Sequence, residues 1–172
     1  MFSVASHALL ALVMASGLSL SGQDPRALSL PTQMLAIHNR ERALVHVPPL
    51  AWSDRLAADA AAYARQLVQM GELDHSSEAS RGDEGENLAM GTAGYYSPAA
   101  LGMMWADEKR HLTGGAFGAD SRTGNWEDVG HYTQMVWRGT RQVGCATASG
   151  GGDLYLICRY APAGNYIGDR VY

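Results

Sequence analysis

Between about residues 32 and 112, apolar side chains recur three and four positions apart; from Gln142 onward they crowd into two short runs. The first spacing belongs to helices, the second to strands. Thr32 is a candidate N-cap for a helix reaching about Leu44. Leu35, Ala36 and Ile37 are its apolar positions, and Pro48 and Pro49 close it off. Ser53 caps a second helix with Asp54 in its first turn, and Leu56, Ala60, Tyr63, Ala64 and Leu67 fall on one face. Gly71 sits where a left-handed C-cap belongs. Residues 76–94 are polar and Gly-rich and are expected to be mostly loop. Ser97 and Pro98 start a third helix running to about His111, with Leu101, Met104, Trp105, Glu108 and Leu112 on its inner face. Residues 113–130 are a second loop, and His131 to Trp137 a short helix. Gln142 to Ala148 and Asp153 to Tyr160 are strands joined by a turn at Gly150, Gly151 and Gly152. Helices first and strands last predict an α+β fold, not a doubly wound one.

The first 22 residues contain no Lys, Arg, Asp or Glu, and Ala8 to Leu20 is mostly apolar. That stretch is too short to span a bilayer, and small residues mark its end at Ser19, Ser21 and Gly22. Residues 1–22 are therefore expected to be a cleaved secretory signal peptide, although no basic residue precedes the apolar stretch. Residues 23–30 then form a linker, residues 31–172 one domain, and the mature protein has no transmembrane segment. A formal charge of -4 and the absence of any basic run give no reason to expect nucleic acid as a partner. Cys145 and Cys158 are the only cysteines. In an exported chain they suggest a disulfide, the alternative being two buried free thiols.

Familiar catalytic motifs are missing: there is no HExxH, GxSxG, CxxC, phosphate loop or GxGxxG. The remaining chemistry lies in histidines and carboxylates. Of the six histidines, His7 leaves with the signal peptide and His46 sits in a turn beside prolines. His111 ends a helix, where a cation suits the dipole. His38 reads as a structural histidine within a helix, and His75 and His131 are not distinguished by composition alone.

Four motifs change that picture. His38-Asn39-Arg40-Glu41-Arg42 resembles an HNxxR element, and Gly85-Glu86-Asn87-Leu88 a GEN[ILV] element. Gly130 to Thr140 is similar to GHYTQ-x-x-W-x-x-[ST]. Tyr155 to Tyr166, containing Cys158-Arg159-Tyr160-Ala161-Pro162-Ala163-Gly164-Asn165, is similar to C-x-Y-x-P-x-GN. In this order they resemble the CAP superfamily, also called SCP or sperm-coating protein, which includes plant pathogenesis-related protein 1, venom antigen 5 and mammalian cysteine-rich secretory proteins. The single cysteine pair is fewer than eukaryotic members usually carry, and it points to a compact bacterial-type member.

The resemblance implies a three-layer α-β-α sandwich with a central antiparallel sheet. It also implies a cavity tetrad of His75, Glu86, Glu108 and His131. Two neutral imidazoles, His75 and His131, can bind Zn²⁺ or another divalent metal. Glu86 and Glu108 then support the ligands from behind, and Asn87 helps orient the site. The leading expectation is a secreted (extracellular or periplasmic), monomeric binding protein with this metal-capable cavity. Its extracellular ligand is a lipid, glycan or peptide. The alternatives are a metal-dependent extracellular hydrolase and a purely structural secreted domain. The motifs assign no catalytic residue.

Overall fold

A computed structural model describes residues 28–172; the expected signal peptide and most of the linker lie outside them. In chain order the elements are α1 (Leu30–Leu44), β1 (Ala51–Trp52), α2 (Asp54–Met70), α3 (Glu78–Arg81), β2 (Gly85–Thr92), α4 (Pro98–Asp107), α5 (Gly130–Val136), β3 (Gln142–Gly150) and β4 (Asp153–Ala161). Short 3-10 turns cover Glu108–His111 and Trp126–Val129.

One sheet holds the strands in the order β1-β3-β4-β2. The three long strands are antiparallel, whereas two-residue β1 lies parallel to β3. β4 is central and buried on both sides, as its nearly continuous apolar run Leu154–Cys158 requires. Its alternate residues split between two cores. Tyr155 and Ile157 meet Ala60, Ala64 and Leu67 of α2 on one face. Leu156, Cys158 and Tyr160 meet Met34, Leu101, Trp105 and Met135, from α1, α4 and α5, on the other. This is the expected α-β-α sandwich. Cys145 and Cys158 are directly paired across β3 and β4 and form the disulfide. Gly151 and Gly152 make the tight turn with φ of 63° and 94°, a conformation that favours glycine at both positions.

The α2 layer approaches the sheet closely because β3 has no side chain at Gly144. A Cβ there would lie 2.3 Å from the backbone nitrogen of Ala57 and 2.4 Å from the carbonyl oxygen of Ser53. The predicted face of α2 is the buried one, with Tyr63 half-buried, and Gly71 caps it at φ 72°.

Several boundaries differ from expectation. Ser29, not Thr32, caps α1 through the Thr32 amide, because Pro31 already occupies the first turn, where a missing N–H costs nothing. The stretch 76–94 is not mostly loop, since it contains α3 and the eight-residue β2. The third helix stops being α-helical at Asp107 and tightens into a 3-10 turn, and Met104 faces outward, 45% exposed.

The His38–Arg42 motif is an internal clasp. Asn39 exchanges two hydrogen bonds with the backbone of Leu50. Buried Glu41 is held by Arg40 at 2.7 Å and Lys109 at 2.9 Å. His38 is fully buried between the Met34 carbonyl and Tyr160 Oη. Burial lowers its pKa from 6.5 to about 4, opposed by the Met34 bond and aided by the Arg42 charge. The neutral ring is thus the folded form, while the unfolded chain takes up a proton as pH falls below 6.5. Stability present above that pH should therefore drain away towards pH 4, by up to about 3 kcal/mol from this residue. Urea midpoints measured across that range should fall less steeply for His38→Gln than for the wild type; equal slopes would contradict the assignment.

Candidate binding cleft

His75 follows α2 in a segment fixed by the Tyr63 hydroxyl, which donates to the Asp74 carbonyl at 2.7 Å. Its Nδ1 lies 2.8 Å from Glu86 Oε1. Glu86 is on β2, directly across from Arg159 on β4, and the cross-strand register places the guanidinium 2.9 Å from its Oε2. Ser76 adds its amide and hydroxyl at 3.0 Å each. Burial alone would raise the Glu86 pKa, but the bonds from His75, Arg159 and Ser76 outweigh it and hold the carboxyl below its ordinary value.

A second pair mirrors the first. His131 is the second residue of α5, and its Nδ1 lies 2.6 Å from Oε1 of Glu108, the first residue of the 3-10 turn after α4. The other Glu108 oxygen accepts the Tyr132 amide at 3.0 Å, so one carboxylate orients the imidazole and ties down the first turn of α5. Trp105 stacks on the His131 ring at 5.9 Å and 23°, and its indole donates to the Leu88 carbonyl. Asn87 donates to the His131 carbonyl and to Tyr160 Oη, both at 3.0 Å. Tyr160 in turn meets His38, so a buried polar chain runs from α1 to the backbone beneath His131.

His75, Glu86, Asn87 and His131 line one cleft of about 740 Å³. Glu108 stands behind His131 and is not part of the lining. Each histidine spends Nδ1 on a carboxylate, and its Nε2 has no protein hydrogen bond among the described residues. Imidazoles held in this way by carboxylates have the donor chemistry of metal-binding histidines. Among the described residues no group of three or more His, Cys, Asp or Glu side chains is placed to hold a metal ion. His46 is exposed, and His111 sits beside Arg110 away from this cleft. Sequence reasoning missed Ser76 and Arg159, which fix Glu86, and the aromatic lining residues Phe117, Trp126 and Tyr166. The β2–β4 register that pairs Glu86 with Arg159 was the missing signal for the first two. Among the described residues, no helix is long and apolar enough to cross a membrane.

A profile described as the cysteine-rich secretory protein family, CAP, matches residues 35–160. Pathogenesis-related protein 1A of Nicotiana tabacum is 40% identical over 149 residues, covering 86% of this chain and 83% of that protein. Pathogenesis-related protein 1 of Arabidopsis thaliana is 37% identical over 148 residues, covering 86% and 85%. Among solved structures, that of NaASP2 with Zn²⁺ superposes with a TM-score of 0.71 at 25% identity, covering 88% of this chain and 90% of the other. The chain belongs to the cysteine-rich secretory protein family, the CAP family.

Proposed function

We propose that this is an exported binding protein whose cleft takes a divalent cation, Zn²⁺ or a similar ion, between His75 and His131. Glu86 and Glu108 fix the two rings, and the open positions on the ion face an extracellular ligand. The carrying observation is that two His–Glu pairs, built from four separate segments, bring their histidines to one cleft. The similar solved structure of NaASP2 is one with Zn²⁺, which supports the choice of ion. The family's description as secretory, the apolar residues 8–20 and the disulfide support export. When bound, the ion would supply a Lewis-acidic point for an oxygen donor of the ligand.

Metal and proton compete for an imidazole nitrogen. Zn²⁺ titrated calorimetrically should bind one per chain at about pH 7.5 and at least about tenfold more weakly at about pH 5.5, where free imidazole is mostly protonated. Absence of binding at the higher pH would remove the cation from this reading.

A further inference from the structure

The cleft has a second chemical character that the His–Glu pairs leave unused. Trp126 is 44% exposed, Tyr166 51% and Ile167 70%, and all three line it. Each exposed ring rests on a buried one. Trp126 meets Phe117 edge to face at 5.5 Å between centroids, and Tyr166 meets Trp137 at 6.2 Å. Phe117 and Trp137 are 6.2 Å apart in the same T-shaped manner. The two exposed rings are therefore the ends of a four-ring chain rooted in the core. Rings braced in this way lose little freedom when a ligand lies on them, and a contiguous apolar patch left in water marks a contact surface.

Polar groups suited to an uncharged partner share the cleft. Glu78 and Asp83 are exposed, and neither carboxylate has an ion-pair or hydrogen-bond partner among the described residues. Glu127 stands next to Trp126 in sequence and accepts only from Asn125. In all, the lining carries five carboxylates and one guanidinium, Arg81. A neighbouring hollow of about 500 Å³ shares Arg81, Asp83 and Glu84 with the cleft, so an elongated ligand can cross that rim.

We propose that the cleft binds an uncharged oligosaccharide, with pyranose rings laid on Trp126 and Tyr166 and hydroxyls bonded to Glu78, Asp83 and Glu127. This rests on the reading of the cleft as a ligand site and not on the cation. A pyranose presents a face of weakly positive C–H groups, which suits the negative face of an aromatic ring. Its edge presents neighbouring hydroxyls, which can donate together into one acceptor-only carboxylate. An anionic headgroup or sulfated chain would face Glu78, Asp83 and Glu127, whose carboxylates have no ion pair among the described residues. An acyl chain would lie against charged side chains with no enclosing wall. A peptide adding to the sheet would need the outer edge of β2, but there the Leu88 carbonyl already accepts the Trp105 indole N–H at 3.2 Å.

The test titrates chitotetraose, cellotetraose and mannotetraose into the exported protein, with a heparin tetrasaccharide as the charged control. Tryptophan fluorescence and saturation-transfer NMR are the readouts. At least one neutral tetrasaccharide should bind and shift the tryptophan emission. Trp126→Ala and Tyr166→Ala should each weaken it by about tenfold, the loss of one stacked ring, and Trp126→Phe by less. Thermal melts establish that the variants are folded; if Trp126→Ala is not, Tyr166→Ala carries the test. No binding of any neutral tetrasaccharide, binding that survives both aromatic substitutions, or a preference for heparin would overturn the assignment. Zn²⁺ titrated into the same wild-type samples separates the two readings. Zinc bound without sugar removes only the saccharide, and sugar bound without zinc removes only the cation.

Discussion

Arg42→Ala should abolish folding. The side chain is fully buried and reaches four backbone carbonyls. Nε donates to Pro48 at 2.6 Å, Nη1 to Met135 at 3.1 Å and Trp137 at 2.9 Å, and Nη2 to Thr140 at 3.1 Å. One guanidinium thereby joins the loop after α1, the end of α5 and the turn into β3. Burial, with repulsion from Arg141 and Arg138, draws its pKa down to about 10, which still leaves it charged at neutral pH. Without it the Pro48 and Met135 carbonyls are stranded, at about 1–3 kcal/mol each, whereas the Trp137 carbonyl keeps the Thr140 amide and the Thr140 carbonyl keeps the Arg141 guanidinium. Those two groups, together with the cavity that truncating a fully buried side chain leaves, rival the stability of a domain, about 5–15 kcal/mol. Arg42→Lys keeps the charge but not the planar fork, and it should fold with about 3 kcal/mol less stability. Circular dichroism and urea melts of both variants decide this. A cooperative Arg42→Ala melt near that of the wild type would mean that the clasp is dispensable.

Replacing both His75 and His131 by Ala should remove Zn²⁺ binding, the second large effect. Each loss takes away a nitrogen donor outright, and the remaining one holds an ion poorly. The carboxylates act one bond further back, and losing either should weaken affinity by about 10–100-fold. They should nonetheless differ in stability. Glu86 is fully buried against Arg159, whose side chain is only 5% exposed. Glu86→Gln therefore leaves a buried guanidinium poorly matched, at a cost of about 3 kcal/mol. Glu108→Gln keeps an oxygen for the Tyr132 amide and should change the melt little. Calorimetric titrations and thermal melts of these three variants separate the roles. Unchanged zinc affinity in the double histidine variant would leave the tetrad a purely structural network.

How much of this was legible depended on the kind of signal each residue left. The α2 face and its glycine cap were written in spacing, because one side of that helix meets a sheet and the other meets water. α4 is apolar nearly all round, so spacing alone did not show that Met104 faces outward while Trp105 and Ala106 are buried. β2 was missed because its first five residues, Gly85 to Ala89, are all buried. A strand covered on both faces shows no alternation, and its flanks are polar loop. Glu86 and His131 were found inside motifs, and His75 and Glu108 through the family resemblance; the structure supplies the pairing of His75 with Glu86 and His131 with Glu108. Trp126 and Tyr166 stand in irregular segments with no period to read. Their role emerges only when the chain brings Phe117 and Trp137 beneath them.

The braced aromatic wall also bears on how such a protein can change over generations. Trp126 sits on a single 3-10 turn, and the Tyr166–Asp169 segment is held to Phe117 by two backbone hydrogen bonds, at 2.8 and 3.0 Å. These bonds do not depend on the outward side chains of Trp126, Tyr166 or Ile167. Substitutions at those three positions can therefore accumulate without loss of the inherited scaffold, whereas the clasp at His38–Arg42 leaves little room for drift. Descendants of one ancestral chain could in this way diverge in what they recognise while remaining alike in shape. A change at Trp126 in a sequenced variant should leave the fold in place, and a change at Arg42 should cost the protein its fold.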